Sequence, residues 1–161
     1  QGAAALGLVA ALQLWEVSRV HPHELSFFNV LAGGPAHGAE WLNDSNLDWG
    51  QDLIRLSLEL DRRRPAEFAT VAYFGGADVA VSCGRCRVFD PLAPSLSPGL
   101  YAVSSFIWTE GPELMLFQGD KARSSGYQHL RSVLARYGEP LGTVGYSILL
   151  FRLPPEGSPQ R

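Results

Sequence analysis

Charged residues are sparse in this chain of 161 residues, at 18% of the sequence, against about a quarter in typical soluble domains. The net charge is −3, and the only basic run is Arg62–Arg64. A protein that binds nucleic acid usually carries a basic stripe with interleaved aromatic side chains, and this sequence has none. We therefore predict no nucleic-acid partner.

Motifs for cofactors and metals are also missing. The sequence has neither a G-x-G-x-x-G fingerprint nor a Walker loop. Its two cysteines, Cys83 and Cys86, form a single C-x-x-C, whereas a structural zinc site needs two further ligands, and no second pair is suitably spaced. A thioredoxin-type pair should open a helix, but residues 87–91 are typical of an extended segment. We predict no cofactor and no metal, and a loop whose cysteines are either free or joined by a disulfide.

Apolar residues dominate the N-terminal segment Gly2–Trp15, which contains one polar side chain, Gln13, and no charge. The segment is shorter than the about 20 residues of a full membrane span. Because the chain begins with Gln1 rather than Met, we interpret residues 1–15 as the end of a truncated transmembrane helix, with Trp15 at the interface. A buried core helix and the remnant of a signal peptide are the alternatives.

Hydrophobic periodicity after this segment predicts alternating helices and strands. In chain order the predicted elements are a helix over 25–31, a short extended piece at 41–42, a helix from Asp48 to 62–64, strands over 68–74 and 99–106, a helix over 127–137 and a strand over 143–153. Residues 77–98 are predicted to form a loop, and the tail 154–161 to be disordered. The pattern predicts a soluble α/β domain over 16–153, a layered sandwich around a mainly parallel or mixed sheet.

The densest polar run of the sequence is Asp44–Leu53, which holds three carboxylates, two amides, a hydroxyl and an indole. A calcium loop is the first hypothesis, but Trp49 stands where such loops need a glycine, and Arg55 stands where they need a bidentate glutamate. A glycoside hydrolase is the second hypothesis, with Asp44 and Asp48 as the pair of carboxylates and Trp49 as a platform for the sugar.

A structural or ligand-positioning loop is the third hypothesis. Asp48 would cap the following helix with Gln51 completing a capping box, and Ser45 and Asn46 would satisfy the turn. Loops that follow strands in open α/β sheets also bind ligands, so both roles can coexist. His21 and His23 are interpreted either as contacts for an anionic headgroup or phosphate, or as ordinary loop residues.

Six motifs occur in a fixed order along the chain. They are HPHELSFFN at 21–29, LAGGP at 31–35, DSNLDWGQDL at 44–53, AYFG at 72–75, YAVS at 101–104 and GYSI at 145–148. Together they resemble the C-terminal part of bacterial phospholipid-carrier-dependent glycosyltransferases of the protein-mannosyltransferase type, which are family 39-like. The resemblance spans most of residues 20–153.

This resemblance implies a polytopic enzyme of the bacterial plasma membrane that transfers a sugar from a polyprenyl-phosphate donor, followed by a soluble extracytoplasmic domain. Its catalytic carboxylate would lie in an early loop that this chain does not contain, so we assign no catalytic residue. The implied function is an accessory domain that contacts the membrane and positions a lipid-linked sugar or a glycan acceptor. The C-x-x-C departs from the family pattern, which supports an oxidised loop.

The candidate ligand-binding residues are Asp44, Asn46, Asp48, Trp49, Gln51 and His23. Two other functions remain open at this point: a self-standing carbohydrate-active hydrolase that uses Asp44 and Asp48, and a purely structural or oligomerisation domain.

Overall fold

A computed structural model describes residues 2–42 and 47–155. The helices in this part are α1 (Gly2–Val20), α2 (Gly38–Trp41), α3 (Leu53–Arg63), α4 (Val79–Ser82), α5 (Ser105–Thr109), α6 (Gly111–Phe117) and α7 (Lys121–Tyr137). The strands are β1 (Ala69–Ala72), β2 (Cys86–Val88), β3 (Gly99–Ser104), β4 (Glu139–Val144) and β5 (Ile148–Leu153). Three 3₁₀ turns, Glu24–Ser26, Val30–Ala32 and Pro35–His37, lie between α1 and α2.

The five strands form one sheet in the order β2-β1-β3-β5-β4. β1 is parallel to both β2 and β3, whereas β5 is antiparallel to β3 and to β4. The chain leaves β1 for one neighbour and then returns past it to the other, so strand order reverses at the carboxyl ends of β1 and β3. Open α/β sheets bind their ligands at such a position.

Helices cover both faces of the sheet. Successive residues of a strand point to opposite faces, and the central strands carry apolar residues on both. On one face, α3 and α4 pack on strand residues such as Val71 and Ala102. On the other face, α5 and α7 pack on Ala72 and Val103. The predicted layered α/β sandwich is thus confirmed, and its sheet is mixed.

α1 lies largely outside this sandwich. Only Val20 of its residues is buried. The helix is long and apolar enough to cross a membrane, and its 19 residues would extend about 28 Å at 1.5 Å per residue. It extends five residues beyond the predicted boundary at Trp15.

The predicted helix over 25–31 is wrong. The chain forms separate 3₁₀ turns at Glu24–Ser26 and Val30–Ala32 instead. The second turn starts anew because the side chain of Asn29 accepts a hydrogen bond from the amide of Ala32 at 3.0 Å. Trp41, predicted as extended, ends the short helix α2.

The predicted strand over 143–153 is also wrong in its first half. It is a hairpin of β4 and β5 whose turn contains Gly145 at φ +58°. The predicted loop over 77–98 contains α4, which Asp78 caps by accepting hydrogen bonds from two amides, and β2. α7 begins at Lys121, six residues earlier than predicted, because Asp120 caps it. Of the predicted disordered tail, residues 156–161 lie outside the described residues.

Candidate functional site

The loop Leu47–Asp52 lies across the carboxyl ends of β1 and β3. The hydroxyl of Tyr73, the residue that follows β1, donates to the carbonyl of Gly50 at 3.1 Å. The hydroxyl of Ser104, the last residue of β3, donates to the carboxylate of Asp48. A side chain at Gly50 would collide with Tyr73 and Phe74, and this residue has φ +77°, so the close approach of the loop to β1 requires a glycine.

Asp48 is buried and binds within the protein. Besides the hydroxyl of Ser104, its carboxylate accepts the amides of Gly50 at 2.9 Å and Phe106 at 3.4 Å. Burial raises the pKa of this carboxyl, and the three hydrogen bonds oppose the rise. The prediction that Asp48 caps α3 is wrong, since that helix begins at Leu53 with Asp52 before it. Asp48 instead joins the loop to the start of α5.

Asp52 is fully buried and joins α3 to the turn between β4 and β5. One carboxylate oxygen pairs with the guanidinium of Arg55 at 2.6 Å. The other accepts the hydroxyl of Ser147 at 2.9 Å and the amides of Tyr146 and Ser147 at 3.3 Å. Asp52 was not among the residues predicted from the sequence to bind a ligand. The i,i+3 spacing to Arg55 was the signal that could have identified the ion pair.

Gln51 does not form the predicted capping box. Its side chain accepts the amide of Trp49 at 2.8 Å and donates to the carbonyl of Leu47 at 2.9 Å and the hydroxyl of Ser26 at 3.4 Å. The side chain therefore fixes the course of the loop and attaches it to the 3₁₀ turn Glu24–Ser26.

His23 lies on the far side of Gln51, with its ring edge-on to Tyr146 at 5.2 Å between centroids. Its Nδ1 atom is buried 3.9 Å from the carboxylate of Asp52 and has no hydrogen-bond partner among the described residues. A cavity of about 430 Å³ opens beside it. Arg55 lines this cavity. One terminal nitrogen of its guanidinium pairs with Asp52, and the other donates to the carbonyl of Pro22 at 2.7 Å.

A second cavity, also of about 430 Å³, opens at the point where strand order reverses. We call it the aromatic cleft. It is lined by Trp49, Tyr73, Phe74, Gly75, Gly76, Ile107, Leu114, Met115 and Tyr127.

The aromatic cleft has no charged residue among the described residues that line it. Trp49 retains 60% of its surface exposed at the rim. Burial raises the pKa of the hydroxyls of Tyr73 and Tyr127, so both remain protonated at neutral pH. Ligand pockets are typically concave and mainly apolar, with a few polar groups that fix orientation, and this cleft has that character.

The predicted site residues thus separate into three groups. Trp49 faces the aromatic cleft, whereas Gln51 and His23 line the cavity on the other side of the loop. The side chain of Asp48 is buried and lines neither cavity. Asp44 and Asn46 lie outside the described residues. Tyr73 and Tyr127 were not predicted as site residues, because nothing in strand or helix periodicity marks a residue that lies beside a tryptophan distant in sequence.

The two cysteines are joined in a disulfide, with their Cα atoms 5.3 Å apart. The bond connects the end of α4 to the start of β2 at the edge of the sheet, and Cys83 is buried against α3. Among the described residues, no group of three or more His, Cys, Asp and Glu side chains is placed to hold a metal.

Comparisons with protein-family models, with curated proteins and with solved structures found no match to this chain. The likeness to glycosyltransferases therefore depends on the six sequence motifs alone.

Proposed function

We propose that this chain is the accessory extracytoplasmic domain of a membrane glycosyltransferase that uses a polyprenyl-phosphate donor, and that the domain positions a sugar ring in the aromatic cleft. One observation carries the proposal: a cleft lined by Trp49, Tyr73 and Tyr127, with no charged side chain among its described lining residues, lies at the carboxyl ends of β1 and β3. α1, which is apolar and long enough to cross a membrane, supports anchoring.

The composition of the cleft favours a sugar ring over a phosphate. A pyranose presents a face of C–H groups that packs on a flat aromatic ring, and its hydroxyls need only neutral hydrogen-bond partners. A phosphate would need cationic side chains or a cluster of backbone amides. The exposed ring of Trp49 supplies the first kind of environment, and Tyr127 also lines the cleft. The ring could belong to the lipid-linked donor or to the acceptor.

In this proposal Asp48 and Gln51 act as positioning residues. Asp48 holds the loop to Ser104 and Phe106, and Gln51 fixes the backbone at Trp49. A platform that is held in place before the ligand arrives loses less entropy on binding. The predicted direct contact between Asp48 and a ligand is thereby replaced by an indirect role.

The same geometry argues against a hydrolase that uses Asp48. An acid or nucleophile must reach the glycosidic bond, whereas the carboxylate of Asp48 is buried and accepts three hydrogen bonds from the protein. A purely structural domain remains the competing proposal, and the following experiment separates it from a positioning domain.

The experiment measures sugar transfer by membranes that contain the full-length protein, with Trp49→Ala compared against Phe68→Ala. Phe68 is a matched control because it is exposed to a similar extent, 52%. It precedes β1 and so lies at the amino end of that strand, away from the aromatic cleft at its carboxyl end. We expect Trp49→Ala to raise the KM for the sugar substrate about tenfold, which corresponds to about 1.4 kcal/mol of binding free energy. Phe68→Ala should leave it unchanged.

Thermal unfolding of both variants accompanies the assay, so that a loss of folded protein is not mistaken for a loss of binding. If both variants fold and transfer sugar as the wild type does, the aromatic cleft has no positioning role and the domain is structural.

A further inference from the structure

We propose that residues 24–42, here called the interfacial segment, lie in the lipid–water interface of the membrane that α1 enters, so that the bilayer surface itself is a binding partner of this domain. The inference rests on the proposed function in one respect only, the insertion of α1 into a membrane. It adds a second contact that orients the domain.

The segment folds back along α1 instead of leading away from it. The carboxylate of Glu16 accepts the amide of Val30 at 3.0 Å. Glu16 lies four residues before the end of α1 at Val20, which is about 6 Å along the axis at 1.5 Å per residue. The turn Val30–Ala32 therefore lies beside the last turns of the helix, at the level of Glu16.

That level corresponds to the interface. Trp15 and Arg19 of α1 lie next to each other there, with the guanidinium 4.8 Å from the centre of the indole. Tryptophan and arginine near the end of an apolar helix are typical of the headgroup region. A segment bound to Glu16 is thus held at the depth of the headgroups.

The side chains that the segment exposes are apolar to an unusual degree. Leu31 is 91% exposed, and four other large apolar side chains of the segment, Leu25, Val30, Trp41 and Leu42, are also exposed. Val30 and Leu31 adjoin Ala32, to which Trp41 is hydrogen-bonded, so these three side chains lie near one another. An exposed apolar patch in a folded protein marks a contact with another apolar phase. Since the segment directly continues a helix that is apolar enough to span a membrane, the bilayer is the apolar phase within reach.

Hydrogen bonds hold the exposed apolar side chains of the segment in place. The indole of Trp41 donates to the carbonyl of Ala32 at 2.9 Å, which ties α2 to the turn that carries Leu31. Asn29 caps that turn through the amide of Ala32. The segment therefore presents its apolar side chains in a fixed arrangement, as an interfacial anchor does.

The charges of the segment specify the kind of lipid contact. Residues 24–42 contain no Lys or Arg. The two carboxylates, Glu24 and Glu40, pair with His21 at 2.5 Å and with His37 at 2.9 Å. Attraction to anionic headgroups accordingly contributes little, and insertion of apolar side chains supplies the affinity.

This placement has a consequence for the aromatic cleft. The hydroxyl of Ser26 donates to the carbonyl of Leu47 at 3.2 Å, and Gln51 donates to the same carbonyl at 2.9 Å. The interfacial segment is thus attached to the loop that carries Trp49. With the segment on the membrane, the loop and the carboxyl edge of the sheet lie close to the headgroups, within reach of a lipid-linked sugar.

The test is site-directed spin labelling of the chain in phosphatidylcholine vesicles. Both native cysteines are in the disulfide, so an introduced cysteine is the only thiol available for the label. Three single variants are compared: Leu8→Cys within α1, Leu31→Cys in the interfacial segment, and Val81→Cys on α4, where the native side chain is 84% exposed. Collisions with oxygen, which concentrates in lipid, are measured against collisions with a nickel chelate, which stays in water.

We expect the ratio of oxygen to nickel collisions at position 31 to shift well above that at position 81, towards that at position 8. Val30→Cys provides a second position that should behave as Leu31→Cys does. If position 8 is in lipid while positions 30 and 31 are as wet as position 81, the interfacial segment does not touch the membrane, and this inference is overturned alone. If position 8 is also in water, membrane anchoring fails, and with it both the proposed function and this inference.

Discussion

Gly145 lies directly against the carboxylate of Asp52. A Cβ atom on Gly145 would coincide with the oxygens of that carboxylate, and the residue has φ +58°. The turn between β4 and β5 therefore closes over the buried carboxylate of Asp52. The amides of Tyr146 and Ser147 both donate to one oxygen of that carboxylate at 3.3 Å. Because Asp52 precedes α3, this contact fixes the helix to the hairpin and positions the loop Leu47–Asp52 between them.

We predict that Gly145→Ala destabilises the domain for two reasons. The new methyl group would displace Asp52, which should cost about 1–3 kcal/mol as overpacking of a filled site does. The left-handed backbone adds about 1–2 kcal/mol for any residue with a side chain. Urea unfolding followed by circular dichroism measures the sum.

Gly119→Ala separates these two costs. Gly119 also has positive φ, +81°, but a Cβ atom there would meet nothing within 4 Å. The control should lose only the backbone part. Equal losses in the two variants would contradict the proposed contact between Gly145 and Asp52.

Arg55→Ala should be strongly destabilising, because it leaves the fully buried carboxylate of Asp52 without its cation. Loss of one partner of a buried ion pair costs about 3–5 kcal/mol, and we expect the lower end since Ser147 and Tyr146 still donate to Asp52. The matched control is Arg63→Ala on the same helix. The side chain of Arg63 is 76% exposed and pairs with Glu59 at 3.4 Å, and this pair should contribute under about 1 kcal/mol. A loss for Arg55→Ala no larger than that of the control would show that the pair does not hold the loop.

Asp48→Asn should change how stability depends on pH. Burial raises the pKa of Asp48 above its usual value of 3.8, so the native state binds its proton more tightly than the unfolded state. The free energy of unfolding of the wild type must then fall as pH rises from 3.8 through the native pKa. The fall amounts to about 1.4 kcal/mol for each pH unit that separates the native pKa from the unfolded one.

The asparagine variant lacks this titration. The difference in stability, wild type minus variant, should therefore be largest below pH 3.8, the usual pKa of the group, and decrease as pH rises towards neutrality, as measured from denaturation midpoints on both sides of that value. A difference that grows with pH would mean that the hydrogen bonds to Asp48 outweigh its burial.

The parts of the fold that depend on hydrophobic periodicity were predictable. Leu53, Leu56 and Leu60 recur at helical spacing within the predicted helix and are buried in α3. β1 and β3 lie within their predicted ranges, since a central strand with both faces covered is a continuous apolar run.

The errors arose where a local contact overrides periodicity. The run 143–153 has the composition of one strand, but Gly145 turns the chain because Asp52 lies against it. Leu25 and Leu31 have helical spacing, yet the first turn ends at Ser26, and Asn29 caps a new turn that begins at Val30. In each case the deciding partner is a polar group that a hydrophobic pattern does not report.

The density of polar side chains predicted a structural or ligand-positioning loop before α3. In the described part of that loop, Leu47–Asp52, the polar side chains form hydrogen bonds within the protein. The density did not tell which carboxylates turn inward. The carboxylates of Asp48 and Asp52 accept hydrogen bonds from Ser104 and Ser147, which are distant in sequence. Of the described residues of the motif, Trp49 alone faces the aromatic cleft, together with aromatic residues that long-range packing brings there.

The most direct test of the central claim is a binding measurement at Trp49. The ¹⁵N-labelled chain in phosphatidylcholine nanodiscs is titrated with a polyprenyl-phosphate-linked hexose, with a soluble oligosaccharide and with polyprenyl phosphate that carries no sugar, while the tryptophan indole signals are followed. We predict a saturable shift of the Trp49 indole and of the amides of Gly75 and Gly76 with a sugar-bearing compound, and no shift with the sugar-free lipid. Trp108, whose ring stacks on Phe151 at 4.9 Å between centroids and is not part of the cleft lining, should not shift with any of the compounds. An unmoved Trp49 signal with both sugar compounds, or an equal shift with the sugar-free lipid, would contradict a sugar-positioning cleft.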